Sequence, residues 1–319
     1  MVNTLYLGKR IVVAVLSVLI VVSVVFGMTE ALPGTAANIA LGTAQTEEAV
    51  QQLEQQMGLN RPLHVRYFEF LVSTVTLSFG DSFISGQPVM NTLAPAVRKT
   101  LELALVATFL SIFTAIPLGV MAAAKRRSIF DNLSLNLSYI LVSVPSFVSA
   151  TLLLLVFTQP PLAFFPSGGY EPLSKGVFTW LHHIVLPAVS LNVVIFAYVL
   201  RQTRSSMIET LESDYIRTAR LKGVGEGKVL MRHALRNGLL PTVTVVAINF
   251  GWMMGAVVIV EEIFSYPGVG QLIVRAITSR DLPVLQAAIL VPTVAFIAAN
   301  LLADIIYTIM DPRIGLGEK

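Results

Sequence analysis

Long stretches without Asp, Glu, Lys or Arg make up most of the chain. A helix that crosses a bilayer needs about 20 mostly apolar residues. Six uncharged runs have at least 19 residues, and they cover 11–29, 103–124, 132–170, 176–200, 237–260 and 282–303. The pattern therefore predicts an all-α integral membrane protein with six transmembrane helices.

The six predicted spans are 11–28, 101–124, 133–158, 184–200, 239–260 and 284–306. The third uncharged run exceeds one span, and prolines and glycines at 160–161 and 166–169 break it. Shorter uncharged runs at 31–46 and 82–97 contain Gly, Pro, Asn and Gln, and we predict loops there. The resulting organisation is an N-terminus with the first span (1–28), an external helical segment (29–100) and a five-helix core (101–319). Pro117, Pro145 and Pro292 lie inside spans, where we expect kinks.

The composition excludes the main alternatives to a membrane protein. Of 319 residues, 55% are hydrophobic and 13% are charged, whereas ordinary soluble domains carry about 25% charged residues. A soluble enzyme and a disordered chain are therefore excluded. The absence of cysteine excludes a disulfide framework and a thiolate metal site. A net charge of +3 gives no indication of a nucleic-acid partner.

The basic residues orient the predicted bundle. If both termini lie on one side, that side holds 15 of the 22 Lys and Arg residues together with seven acidic residues. The other side holds seven basic and ten acidic residues, while Glu102 and Asp304 fall within spans. Positive loops stay in the cytoplasm, so we expect both termini to be cytoplasmic.

The first span resembles a signal peptide, because Lys9 and Arg10 precede its apolar run. That run is longer than the apolar core of a usual signal peptide. We therefore expect an uncleaved first helix.

The external segment is predicted to contain two short helices. Thr46 can cap the first, Glu47 and Glu48 lie in its first turn, and Gly58 can end it. The second follows Asn60-Arg61-Pro62, and its predicted packed side consists of Leu63, Tyr67, Phe70, Leu71 and Thr74. The segment is either a lid packed on the membrane surface or a docking platform or outer gate, and the two roles are compatible.

The predicted cytoplasmic loop at 201–238 contains another short helix. Ser213 or Asp214 can cap a helix over 215–222, and Gly223 can terminate it. Ile216 and Ala219 offer a small apolar contact, and a second helix from about Glu226 leads into the fifth span. One hypothesis is a docking site for a partner. The other is a basic loop that only fixes orientation or binds anionic lipid.

Three glycines before Lys228 suggest a phosphate-binding loop, but their spacing does not fit. Such a loop would need glycine at 222 and Ser or Thr at 229, where Lys222 and Val229 stand. We predict no ATP site, and no cofactor, catalytic residue or metal site, in this chain.

Polar residues inside the spans are candidates for a cargo pathway. We include neighbouring large side chains and the two carboxylates at the external end of the fifth span; the candidates are Asn192, Asn249, Trp252, Met253, Glu261 and Glu262. The alternatives are that the asparagines bond a neighbouring helix, that Trp252 and Met253 pack in the bundle, and that the carboxylates are solvated capping charges.

Several ordered motifs resemble one family of membrane proteins. They are MGLNRPL at 57–63, FGDSF at 79–83, DYIRTARLKG at 214–223, RHALRN at 232–237, EEIFSYPGVG at 261–270 and DPR at 311–313. Together they resemble the B-type permease subunit of ABC importers of the dipeptide/oligopeptide/nickel family. The general importer pattern Glu-Ala-Ala, three residues, Gly is only partly matched, because Arg217, Thr218, Ala219 and Gly223 occupy its slots.

The resemblance implies a type I ABC importer permease fold in a bacterial plasma (inner) membrane. It implies that the chain, surrounded by membrane lipid, forms a heterodimer with a second permease subunit and works with two ATPase subunits that bind ATP and Mg²⁺ and with an extracytoplasmic solute-binding protein. The implied ATPase-coupling residues are Asp214, Tyr215, Ile216, Arg217, Thr218, Ala219, Arg220, Lys222, Gly223 and Glu226. The implied cargo is a peptide or a related small solute.

A secondary transporter or channel without an ATPase is the alternative. Such proteins are expected to carry ionisable residues within the membrane and often inverted repeats. Only Glu102 and Asp304 lie in the predicted spans, both near span ends, and no repeat is evident.

Overall fold

A computed structural model describes residues 4–31, 37 and 46–310 of the chain. Within these ranges the regular elements are helices, apart from one isolated bridge between Asp81 and Pro88. The main helices are α1 (Thr4–Glu30), α2 (Glu47–Gln56), α3 (Leu63–Thr76), α4 (Val89–Ala124), α5 (Ile129–Ser143), α6 (Ser146–Thr158), α7 (Val177–Leu211), α8 (Asp214–Leu221), α9 (Leu240–Ile263), α10 (Val269–Ser279) and α11 (Leu282–Met310). The predicted all-α fold class is confirmed.

Five of the described helices are long and apolar enough to cross a membrane. They are α1, α4, α7, α9 and α11, and a sixth span results if α5 and α6 are counted as one. The axes of α5 and α6 differ by 102°. The span predicted over 133–158 is thus divided into two helices, and the kink expected at Pro145 is a full break. Pro145 explains the break, because it forces the preceding Val144 into an extended conformation (φ −90°, ψ 118°).

Several helices extend beyond their predicted spans. Helix α4 begins at Val89, so the loop predicted at 82–97 is helical from residue 89 onward. Helix α7 continues to Leu211, so the loop predicted from residue 201 begins about three turns later. The uncharged runs stopped too early because Arg98, Lys99, Arg201 and Arg204 interrupt the apolar pattern without ending the helix.

The centre of the bundle is the contact between α4 and α7, which small residues bring close together. Leu103, Ala104, Ala107 and Ala115 of α4 are buried in the main core together with residues of α7 and α9. A Cβ on Gly119 would lie 2.8 Å from the carbonyl oxygen of Leu200, which is too close for any side chain. Small residues of this kind allow two membrane helices to approach closely.

The segment before α4 forms the two short helices that the sequence predicted. The Thr46 hydroxyl accepts a hydrogen bond from the amide of Ala49 (3.3 Å), which caps α2. Helix α3 begins after Pro62, and its residues Tyr67, Phe70 and Leu71 pack against α1 and α11. Leu63 was predicted on the same packed side, but it is exposed because it lies in the first turn, away from α1.

Candidate functional site

The short helix α8 lies at the end of the bundle where α4 and α7 terminate. Ser213 is its N-cap residue, but the Ser213 hydroxyl donates to the carbonyl of Thr210 (2.6 Å) and does not cap the helix. The helix ends at Leu221, and Gly223 follows with φ +77°. The amides of Gly223 and Val224 donate to the carbonyls of Arg220 and Ala219 and close its last turn. Glycine suits position 223 because it adopts a positive φ without strain.

Ile216 fixes α8 to the bundle. Its side chain is fully buried. The surrounding cluster contains Val120 and Ala123 of α4, Met207 of α7, and Val229 and Ala234. The last two belong to the connecting segment (226–238), a run of short helical pieces that leads directly into α9. Ile216 thus belongs to a cluster whose members come from elements continuous with three of the apolar helices.

Polar contacts hold α8 in one orientation around this apolar anchor. Arg220 donates to both carboxylate oxygens of Glu226 (2.8 and 3.2 Å) and to the carbonyl of Leu211 (3.3 Å). The Tyr215 hydroxyl accepts a hydrogen bond from the side-chain amide of Asn237 (3.0 Å). Both ends of α8 are therefore tied to α7 or to the connecting segment.

The opposite side of α8 is open. Asp214, Arg217, Thr218, Leu221 and Lys222 are exposed, and Ala219 is half-buried. Leu221 is 82% exposed, which is unusual for a leucine beside a core cluster. Arg217 and Leu221 are four residues apart and so lie on one face of the helix. This face combines an apolar side chain with basic ones and is available to another protein.

A buried ion pair at the same end of the bundle was missed by the sequence analysis. Arg204 of α7 forms a two-pronged ion pair with Asp131 of α5, whose side chain is only 1% exposed. The amide of Arg127 also donates to Asp131 (2.9 Å), and Arg126 pairs with Glu212. These contacts fasten the turn between α4 and α5 to α7. An Asp at the start of one apolar helix and an Arg at the end of another were the signs that pointed to such a pair.

The candidates for a cargo pathway do not converge on one surface. Asn192 and Met253 are buried within the chain, and Met253 belongs to the main core. Asn249 is half-buried and its amide donates to the carbonyl of Val245 in its own helix (2.8 Å). Trp252, the residue before Met253 in α9, is exposed.

Glu261 differs most from its predicted role. It was expected to be a solvated or cargo-facing charge, but it is fully buried. Its carboxylate accepts hydrogen bonds from the Thr100 hydroxyl and from the amide of Gly270, both at 2.6 Å. The Thr100 hydroxyl also accepts a hydrogen bond from the amide of Val269 (2.8 Å). Glu261 therefore joins α4, α9 and the start of α10, while its neighbour Glu262 is exposed.

The rest of the EEIFSYPGVG motif supports this junction. Burial raises the pKa of the Tyr266 hydroxyl, which donates to the carbonyl of Lys99 (3.3 Å). A Cβ on Gly268 would overlap the Glu261 carboxylate, and one on Gly270 would overlap the backbone of Val258. The glycines of the motif are thus required by close packing. The DPR motif at 311–313 lies outside the described residues.

Comparison with known proteins identifies the family to which the chain is similar. The family described as "Binding-protein-dependent transport system inner membrane component" matches residues 115–316, and its N-terminal companion matches residues 3–104. The chain belongs to this family. It is therefore a membrane subunit of an ABC importer with the type I permease fold. The six-motif resemblance is confirmed at this level.

The chain also resembles individual transport proteins over nearly its full length. It is 40% identical to a putative peptide transport system permease of Brucella abortus over 96% of this chain and 97% of that protein. It is 36% identical to a dipeptide transport system permease of Alkalihalophilus pseudofirmus, over 91% and 93% of the two chains. It is 33% identical to a glutathione transport system permease of Salmonella typhimurium, over 97% and 98%.

Proposed function

We propose that this chain forms half of the translocation pathway of an ATP-driven peptide importer and that α8 engages an ATPase subunit. The observation that carries the proposal is the two-sided construction of α8. Ile216 is buried in the bundle, while Arg217 and Leu221 are exposed on the other side. A rigid helix that is anchored on one side and open on the other can transmit a displacement from a partner.

The contacts of α8 define the route of that displacement. The Ile216 cluster reaches α4 and α7, and through the connecting segment it reaches α9. Movement of α8 therefore acts on three spans at once. We infer that closure of the ATPases on ATP and Mg²⁺ moves α8 and switches the opening of the pathway between the two sides of the membrane.

The remaining partners and the orientation follow from the same hypothesis. Both termini and α8 lie in the cytoplasm of a bacterium, a second permease subunit completes the pathway, and a solute-binding protein delivers cargo from outside. Peptides are the proposed cargo because the relatives are named for peptide, dipeptide and glutathione transport. Among the pathway candidates, Trp252 and Glu262 are exposed, and this supports a proposed role for them beside the second subunit.

A pair of matched substitutions tests the role of α8. Leu221→Asp introduces a charge on the exposed face, and Met231→Asp introduces the same charge at a residue of the connecting segment that is 64% exposed. Because the Leu221 side chain is exposed and is not packed in the bundle, we expect the Leu221→Asp variant to fold. It should lose the co-purifying ATPases and ATP-dependent peptide uptake in proteoliposomes, whereas Met231→Asp should retain both.

Equal retention of ATPases and uptake by the two variants would rule out α8 as the coupling element. Uptake that proceeds without ATPase subunits would instead support a secondary transporter or channel.

A further inference from the structure

Helix α3 has a second apolar face that no part of the described chain covers. One side carries Tyr67 and Phe70 and packs on α1 and α11. The other side carries Phe68, Val72 and Val75, which are 64%, 60% and 84% exposed. Their spacing of four and three residues places them in one stripe along the helix. We call these three residues the outer stripe of α3.

The contacts of the packed side show how deep α3 lies. The Tyr67 hydroxyl is 2.7 Å from the Ser23 hydroxyl of α1, and the Phe70 ring is centred 6.1 Å from that of Phe26. Phe26 and Ser23 precede the end of α1 at Glu30 by four and seven residues, or about 6 and 10 Å at 1.5 Å per residue.

The neighbouring helix α11 gives the same depth. Leu290 belongs to the cluster that contains Phe26 and Phe70. It follows the start of α11 at Leu282 by eight residues, or about 12 Å. Helix α3 therefore lies below the ends of two spans. Helices that lie in the interfacial zone bury their apolar face about 5–10 Å into it.

The polar groups in the second half of α3 are arranged for an apolar environment. In its second half the hydroxyls of Ser73, Thr74 and Thr76 each donate to a carbonyl four residues earlier, all at 2.8 Å. No charged residue occurs between 70 and 80. In its first half Arg66 pairs with Glu30, and Glu69 pairs with Arg61. A lipid-exposed segment needs its polar groups satisfied internally in this way.

We propose that α3 is inserted into one leaflet of the membrane and that its outer stripe faces lipid acyl chains. Helix α1, against which α3 packs, is itself largely uncovered by the described chain, because only 17% of the residues in its most apolar part are buried. The other possible occupants are the second permease subunit and a water-soluble partner, and the latter would have to reach below the ends of α1 and α11. If both termini lie in the cytoplasm, as in the proposed function, α3 is inserted in the outer leaflet. Its insertion into a leaflet does not depend on whether the chain transports peptides.

The absence of cysteine in the chain allows a direct test. A spin label is attached to Val75→Cys in the assembled importer in proteoliposomes. Ile20→Cys, at an exposed position of the α1 span, is the lipid control, and Gln52→Cys on α2 is the water control. The same complex without an introduced cysteine supplies the background. Relaxation by oxygen and by a water-soluble nickel chelate is measured with and without the solute-binding protein.

We expect the label at Val75 to resemble the one at Ile20, with strong relaxation by oxygen and weak relaxation by nickel, whether or not the binding protein is present. Nickel relaxation as strong as at Gln52 would overturn the proposal. So would protection from both reagents, because a protein surface would then cover the stripe. If the complex without an introduced cysteine shows no ATP-dependent peptide uptake while the label at Val75 keeps its lipid signature, the result counts against the proposed function only.

Discussion

Gly268 lies against the carboxylate of Glu261, so one methyl group at this position has a specific consequence. In Gly268→Ala the new Cβ would overlap the carboxylate, and the hydrogen bonds to Thr100 and Gly270 would have to shift. Overpacking of this kind costs about 1–3 kcal/mol. We expect a lower midpoint of thermal unfolding for the purified complex in detergent.

Gly255 in α9 supplies the control for this substitution. A Cβ on Gly255 meets no atom within 4 Å, and replacing a helical glycine by alanine stabilises by about 0.4–1 kcal/mol. Gly255→Ala should therefore leave the midpoint unchanged or raise it. If both variants unfold at the same temperature, the Glu261 junction contributes little.

Glu261 and Glu262 look alike in the sequence, but Glu261 is buried and Glu262 is exposed in the structure. The two carboxylates are adjacent, and both follow an apolar run. Val257, Val260 and Phe264 are buried and share one face of α9 with Glu261, and this helical periodicity was visible in the sequence. Its consequence was not, because Thr100 comes from a helix distant in the chain and the amide of Gly270 reaches Glu261 only through the turn between α9 and α10.

At the scale of elements, Ile216 holds α8 in place and Leu221 does not. Truncation of a buried isoleucine to alanine costs about 2–5 kcal/mol because it leaves a cavity. In Ile216→Ala we expect faster amide hydrogen exchange over residues 214–224 of the assembled complex, measured by mass spectrometry, with weaker coupling of ATP hydrolysis to uptake.

The matched variant is Leu221→Ala, which removes an exposed side chain from the same helix. It should leave hydrogen exchange over 214–224 at the level of the unmodified chain. Equal acceleration in both variants, or in neither, would show that the buried cluster does not hold α8.

The helices themselves were largely predictable, whereas their ends and breaks were not. Uncharged runs located the apolar helices because a helix surrounded by lipid acyl chains carries few charged residues. They stopped at Glu102 and Arg201, although α4 and α7 continue past both. At Pro145 a kink was expected, and the structure has a 102° break because the residue before a proline is kept out of the helical conformation. Hydropathy measures the environment of a residue and not its backbone conformation.

At the scale of the whole molecule, the distribution of charge predicts which side each surface faces. Basic residues are concentrated at the end of the bundle that carries α8, and acidic residues are in excess at the other. Because positive segments remain in the cytoplasm, Leu221 should be inside the cell and α2 outside.

Labelling of introduced cysteines in intact spheroplasts tests this orientation. A membrane-impermeant maleimide should label Gln52→Cys. It should label Leu221→Cys only after the membrane is opened. The cysteine-free parent chain is the blank. Labelling of Leu221→Cys in intact cells would reverse the orientation, and with it the assignment of α8 to a cytoplasmic ATPase.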